Sequence, residues 1–153
     1  MKAWLFAVAM CVVVGCGGPQ ASDPLGDAIR SYNEGLRWGR YEVAATHIAP
    51  KERAQFVDDA DDRAKDLKIT QYDVVRVERR SARVATVHVK VEWYKESEGT
   101  LRETHAKQTW EKQGGSWLMV QEARTRGIEM PGLPEPPTSE EPATSPPTDS
   151  NTP

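Results

Sequence analysis

Val84-Ala85-Thr86-Val87-His88-Val89-Lys90-Val91-Glu92-Trp93-Tyr94 is the stretch on which the fold turns. Ala85, Val87, Val89, Val91 and Trp93 alternate with Thr86, His88, Lys90, Glu92 and Tyr94. A period of two with one apolar and one largely polar face specifies a strand half-buried in an antiparallel sheet. The flanking segments carry the same period. Ile69 to Arg79 is β-branched and aromatic and reaches the central stretch through a tight turn at Arg80-Ser81. On the other side Glu98-Gly99 turns into Leu101 to Lys112. Gly114-Gly115, suited to the positive φ of a type I′ hairpin, then leads into Ser116 to Arg124. The expectation is an antiparallel meander of four strands with 84–94 in its middle.

Register follows from the turns. A hairpin closed on Gly114-Gly115 pairs Lys112 with Trp117, Trp110 with Met119 and Gln108 with Gln121. A loop over Ser97 to Thr100 pairs Trp93 with Thr104, Val91 with Ala106, Val89 with Gln108 and Val87 with Trp110. One face then carries Val87, Val89, Val91, Trp93, Ala106, Gln108, Trp110, Met119 and Gln121. The other carries His88, Thr109, Leu118 and Val120, with Asp73 and His88 set to form a solvated pair across the first hairpin.

Upstream the period is that of helices. Ser22-Asp23-Pro24 reads as a cap followed by proline in the first turn. Leu25, Ala28, Ile29, Tyr32 and Leu36 form one stripe, with Arg30, Asn33, Glu34 and Arg37 assigned to the wet side. Gly39 ends this helix. A short second helix runs from Tyr41 to about His47. A third, from Pro50 to Lys68, has an inward stripe of Ala54, Val57, Ala60, Ala64 and Leu67, with Asp58, Asp59, Asp61, Asp62, Arg63 and Lys65 outside.

The two ends are of another kind. Lys2 precedes the apolar run Ala3 to Val14, which is too short to span a membrane as a permanent helix and reads as a secretory signal. Val13-Val14-Gly15-Cys16 resembles a bacterial lipobox. That resemblance implies cleavage of residues 1–15 and acylation of Cys16, including palmitate, with anchoring to the membrane of the cell envelope. Gly17 in the following position resembles the pattern of proteins sent to the outer membrane of a Gram-negative host. Residues 16–22 form a short tether, reaching about 20 Å at most if fully extended. Residues 23–130 form the folded domain. From Pro131 to Pro153 the chain is rich in Pro, Ser, Thr and acids, has no large apolar residue after Leu133, and is expected to be a disordered tail.

Charge and cysteine usage exclude several functions. Of the 20 basic and 23 acidic residues, Lys2 belongs to the signal and Glu135, Glu140, Glu141 and Asp149 to the tail, which leaves the domain balanced. No nucleic-acid partner is expected, since phosphate contacts need a basic excess. Cys11 leaves with the signal and Cys16 carries the lipid, so no disulfide and no thiolate site remains. His47, His88 and His105 are not at ligand spacing, and the aspartates at 58–62 lack the glycine and closing glutamate of a calcium loop. Neither metal nor cofactor is expected.

Three helices followed by this meander, with Trp38-Gly39-Arg40-Tyr41 at the first helix break and Trp117-Leu118-Met119-Val120-Gln121 in the last strand, resemble the nuclear-transport-factor-2-like family over Pro24 to Arg124. The resemblance implies an α+β cone: a curved sheet wrapped on a long helix, as in SnoaL-like and steroid-isomerase-like enzymes and in transport and scaffold domains. Enzymes of that fold hold an acid or base on the concave face, and the registers above put no aspartate, glutamate or histidine there. The candidate pocket is therefore Trp93, Gln108, Trp110, Met119 and Gln121. The leading expectation is a lipid-anchored, non-enzymatic binding or assembly domain whose partner is an envelope protein or small ligand. The alternatives are a SnoaL-like small-molecule enzyme and a spacer carrying the tail. Leu118 and Val120, uncovered on the outer face beside Thr109 and His88, suggest a homodimer through that face.

Overall fold

A computed structural model describes residues 23–135. Helix α1 (Pro24–Arg37) is followed by α2 (Tyr41–Ala45), a 3-10 turn (Pro50–Glu52) and α3 (Arg53–Ala64). Four strands then follow: β1 (Leu67–Arg79), β2 (Val84–Lys95), β3 (Arg102–Gln113) and β4 (Ser116–Gly127). They pair antiparallel in the order β1-β2-β3-β4. The architecture is the α+β arrangement expected, with helices packed on a curved sheet.

Helix α1 starts at Pro24, but the Asp23 side chain makes no cap hydrogen bond. It reaches Arg79 at the end of β1 instead, at 2.7 Å. At the other end Arg40 N donates to Gly35 O at 2.8 Å and Gly39 N to Leu36 O at 3.4 Å. These paired bonds satisfy the last carbonyls and turn the chain toward α2. Leu25, Ala28, Ile29 and Tyr32 are buried as expected. Asn33 corrects the expectation, because it is buried too, at 3% exposure. Its position explains this: four residues beyond Ile29 and eight beyond Leu25, it lies on the same stripe.

Helix α3 keeps Val57, Ala60 and Ala64 on its buried or half-buried side as expected, but that side is shifted toward Phe56 and Arg63. Ala54 is exposed, while Phe56 and Ala60 turn inward and Arg63 is half-buried. Phe56 packs against Tyr32 with ring centroids 6.0 Å apart. One aromatic side chain outweighs the small area that the alanines offer.

The sheet is regular in the middle and irregular at its edges. Between β2 and β3 the ladder runs without a shift, Trp93 opposite Arg102, Val89 opposite Ala106 and Ala85 opposite Trp110. This corrects the expected register by two residues, because the last pair is Trp93 with Arg102 and the connection runs over 94–101, with Tyr94 and Lys95 paired only to β1. A slip of two leaves every side chain on its expected face. The outer strands carry two irregularities each, in β1 near Thr70 and Val75 and in β4 opposite Thr109-Trp110 and His105-Ala106. Extra residues on edge strands bend and twist them, which curls the sheet around α1. The first turn is longer than the expected Arg80-Ser81, with Arg79 paired to Ala85, so Arg76 rather than Asp73 stands opposite His88. Asp73 pairs with Lys90 at 3.2 Å, and His88 lies 3.8 Å from Glu78.

Inside the curl Trp93, Trp110, Val87, Val89 and Ala85 are fully buried. Trp93 Nε1 donates to Thr104 Oγ1 at 2.8 Å and Trp110 Nε1 to Gln108 Oε1 at 3.1 Å, so neither indole is unsatisfied. Trp110 meets Tyr32 edge-on at 5.7 Å. The outer face is laced with charge, Lys90 lying within 3.2 Å of both Asp73 and Glu92. Leu118 there is only 7% exposed and Val120 is 43% exposed.

After β4 the chain doubles back. Arg124 N donates to Pro134 O at 2.8 Å, and the Arg124 guanidinium holds both oxygens of Glu135 at 2.6 Å. Met130 and Leu133 pack against the core. Residues 130–135 thus form a strap across the open end of the cone. The expected signal, lipidation site, tether and most of the tail lie outside the described residues.

Candidate functional site

The hairpin at Gly114-Gly115 forms as expected, with φ of +55° and +89° at the two glycines, and it pairs Lys112 with Trp117 and Trp110 with Met119. The next pair departs from expectation. Thr109 faces Gln121, Val120 is left without a partner, and Gln108 faces Glu122 instead of Gln121. The edge of β4 is engaged at this point, since Met119 N donates to His47 O at 2.8 Å beyond α2. One unpaired residue exchanges the faces of the residues that follow, here up to the second irregularity at Thr125. Gln121 is turned outward and exposed, and a glutamate enters the concave face that had seemed empty of titratable groups.

Glu122 stands at the centre of a polar cluster. Gln108 Nε2 donates to its Oε1 at 2.8 Å and Tyr32 Oη donates to its Oε2 at 3.2 Å. Gln108 Nε2 also lies 2.8 Å from Tyr72 Oη and 3.0 Å from Asn33 Oδ1. An amide nitrogen has two protons for these three acceptors, so the network carries more than one arrangement. The buried Asn33 Nδ2 has no partner among the described residues.

Burial is the largest influence on Glu122 and pushes its pKa up, since a carboxylate loses hydration there. Hydrogen bonds from Gln108, Tyr32 and Tyr72 and the field of Arg63 oppose that rise without cancelling it. The tyrosine hydroxyls move well above their ordinary value, first through burial and then through the nearby Glu122 charge, and so remain donors at neutral pH. Glu122 is half-buried and borders a cavity.

That cavity has a volume of about 870 Å³ and is bounded by α1, α3, β1, β4 and the strap. Leu36, Phe56, Ile69, Met119, Met130 and Leu133 supply apolar wall, and Tyr32, Tyr72, Glu122 and Arg63 are among its polar groups, with Arg37, Asp59 and Lys68 also bordering it. The volume is within the range of small-molecule sites. Met119 and Gln121, expected as pocket residues, both border it. Trp93, Gln108 and Trp110 are fully buried and lie behind the wall, with Gln108 acting on the cavity through Glu122. The residues that sequence reasoning missed are Glu122, Tyr32 and Tyr72 as polar groups, and Arg63. A signal existed: two tyrosines on buried faces require a buried acceptor.

No protein-family model and no curated protein matches the sequence. Solved structures do match. A ketosteroid isomerase-like protein from Erwinia carotovora superposes with a TM-score of 0.55 at 13% identity, covering 70% of this chain and 95% of that one. A domain of unknown function with a cystatin-like fold from Nostoc punctiforme gives 0.54 at 16% identity, covering 69% and 78%. An NTF-2-like protein of unknown function from Shewanella oneidensis gives 0.52 at 11% identity, covering 66% and 95%. Such identities speak to fold alone, and the fold of this chain is the nuclear-transport-factor-2-like, cystatin-like cone.

Proposed function

We propose that the chain is an exported, lipid-anchored protein of a bacterial envelope whose cone binds a small, largely apolar molecule. The observation that carries the binding reading is Glu122, a carboxyl held by Gln108 and Tyr32 in the wall of a cavity that also presents a cluster of apolar side chains. Apolar walls with a few convergent polar groups are the usual form of a small-molecule site. The anchoring reading rests on Val13-Val14-Gly15-Cys16. Cys16→Ser is expected to abolish lipid attachment and shift the protein out of the membrane fraction. Unchanged fractionation without any acyl mass on the wild-type chain would refute it.

Binding is tested with a neutral solvatochromic naphthylamine dye. Saturable binding is expected, weakened at least tenfold by Leu36→Trp, which fills the cavity from a half-buried position at its wall. A chain that takes up no dye, or a variant that binds it as well as wild type, contradicts the reading. A second reading, proton transfer catalysed by Glu122, is favoured by its raised pKa beside two tyrosine donors and by the cone shared with the ketosteroid isomerase-like protein. Glu122→Gln separates the two, since it would remove turnover while leaving binding of the neutral dye intact.

A further inference from the structure

The charges around the cavity are matched with one exception. Arg37 is 3.9 Å from Glu34, Lys68 is 3.8 Å from Glu96, and Glu135 is clasped by Arg124. Asp59 accepts from Gln55 at 2.6 Å, and Glu52 lies 3.6 Å from Lys51. Arg63 borders the cavity, is half-buried, and has neither an ion pair nor a side-chain hydrogen bond among the described residues. Its arm is also held in place. Gly132 of the strap, at φ +79°, comes so close that a Cβ there would lie 2.3 Å from Arg63 Cδ and 2.6 Å from Nε. The group therefore lies against the strap at the cavity wall and has no side-chain partner among the described residues.

A guanidinium has five donors in a planar fork that matches a carboxylate with two parallel hydrogen bonds. Resting on the small-molecule reading above, we propose that the cavity's ligand is a monoanionic amphiphile. Its carboxylate is held by Arg63, and its apolar body lies along Leu36, Phe56, Met119, Met130 and Leu133. A single negative charge fits better than two. There is one free cation at the site among the described residues, and Glu122 on the same side repels further negative charge unless it takes a proton. The field of Arg63 reaches both Glu122 and Tyr32, so its charge lies near that side of the cavity.

The test compares octanoate, octanol and octylamine by calorimetry on the full chain carrying Cys16→Ser, so that no attached acyl group competes. Octanoate is expected to bind at least tenfold more tightly than octanol. Arg63→Met should reduce octanoate to the level of octanol and leave octanol unchanged. Equal binding of octanoate and octanol, or a preference that survives Arg63→Met, overturns the carboxylate assignment and leaves the cavity as a site for neutral molecules. A preference for octylamine overturns it in favour of Glu122 as the ligand's partner. Failure of all three compounds and of the neutral dye overturns both this proposal and the small-molecule reading.

Discussion

Replacing Trp110 by alanine tests whether the concave face is the structural core. The indole is fully buried, meets Tyr32 edge-on at 5.7 Å, and donates Nε1 to Gln108 Oε1 at 3.1 Å. Truncating a large buried aromatic typically costs about 3 to 5 kcal/mol. Loss of the indole N–H also leaves the buried Gln108 carbonyl unpaired, adding roughly 1 to 3 kcal/mol. The sum, about 4 to 8 kcal/mol, is comparable to the whole stability of an ordinary domain. Trp110→Ala is therefore expected to be barely folded at room temperature. Trp110→Phe keeps much of the apolar volume and should mainly show the hydrogen-bond loss. Urea unfolding, followed by circular dichroism because the indole itself is removed, measures both. A loss below about 1 kcal/mol in Trp110→Ala would mean that Trp110 is not on the core face and that the registers are wrong.

Glu122→Gln should flatten the pH dependence of stability. The native pKa of Glu122 is raised, so the native state binds more protons, and stability falls as pH rises from the ordinary carboxylate range through the raised value. Above that window the variant loses less stability than wild type, and parallel profiles from thermal unfolding would contradict this. The clasp between Arg124 and Glu135 is largely exposed, so Glu135→Gln should cost under about 1 kcal/mol and leave the unfolding midpoint nearly unchanged. A dimer through the outer face would bury Val120. Sedimentation should then detect a dimer at high micromolar concentration that Val120→Lys dissociates, whereas a monomer unaffected by the substitution refutes the association.

Much of the fold was legible in the sequence, because periodicity reports faces directly. The valine stripe of β2, the glycine hairpin and the α1 stripe each state which side is buried, and a two-residue error in the β2–β3 loop changes no face. The polar site was not legible for the same reason. Val120 is one extra residue in an edge strand, and neither hydropathy nor turn residues mark it, yet it moves Glu122 to the inside and Gln121 to the outside. Asn33 and Arg63 were assigned to solvent by type. For Asn33 the helical spacing from Leu25 and Ile29 did mark the buried stripe and residue type masked it, whereas the neighbour of Arg63, the strap at Gly132, is distant in sequence. Local pattern carries no record of such partners.

The central claim is that Glu122 lies inside the cone, on the polar side of the cavity, with burial governing its ionisation. Carbon NMR titration of side-chain glutamate carboxyls, with the Glu122 signal assigned by its absence in Glu122→Gln, tests this directly. The account predicts a midpoint clearly above the exposed glutamates, which titrate near the usual value of about 4.3. A Glu122 midpoint at or below theirs would place the carboxyl in water and contradict the account.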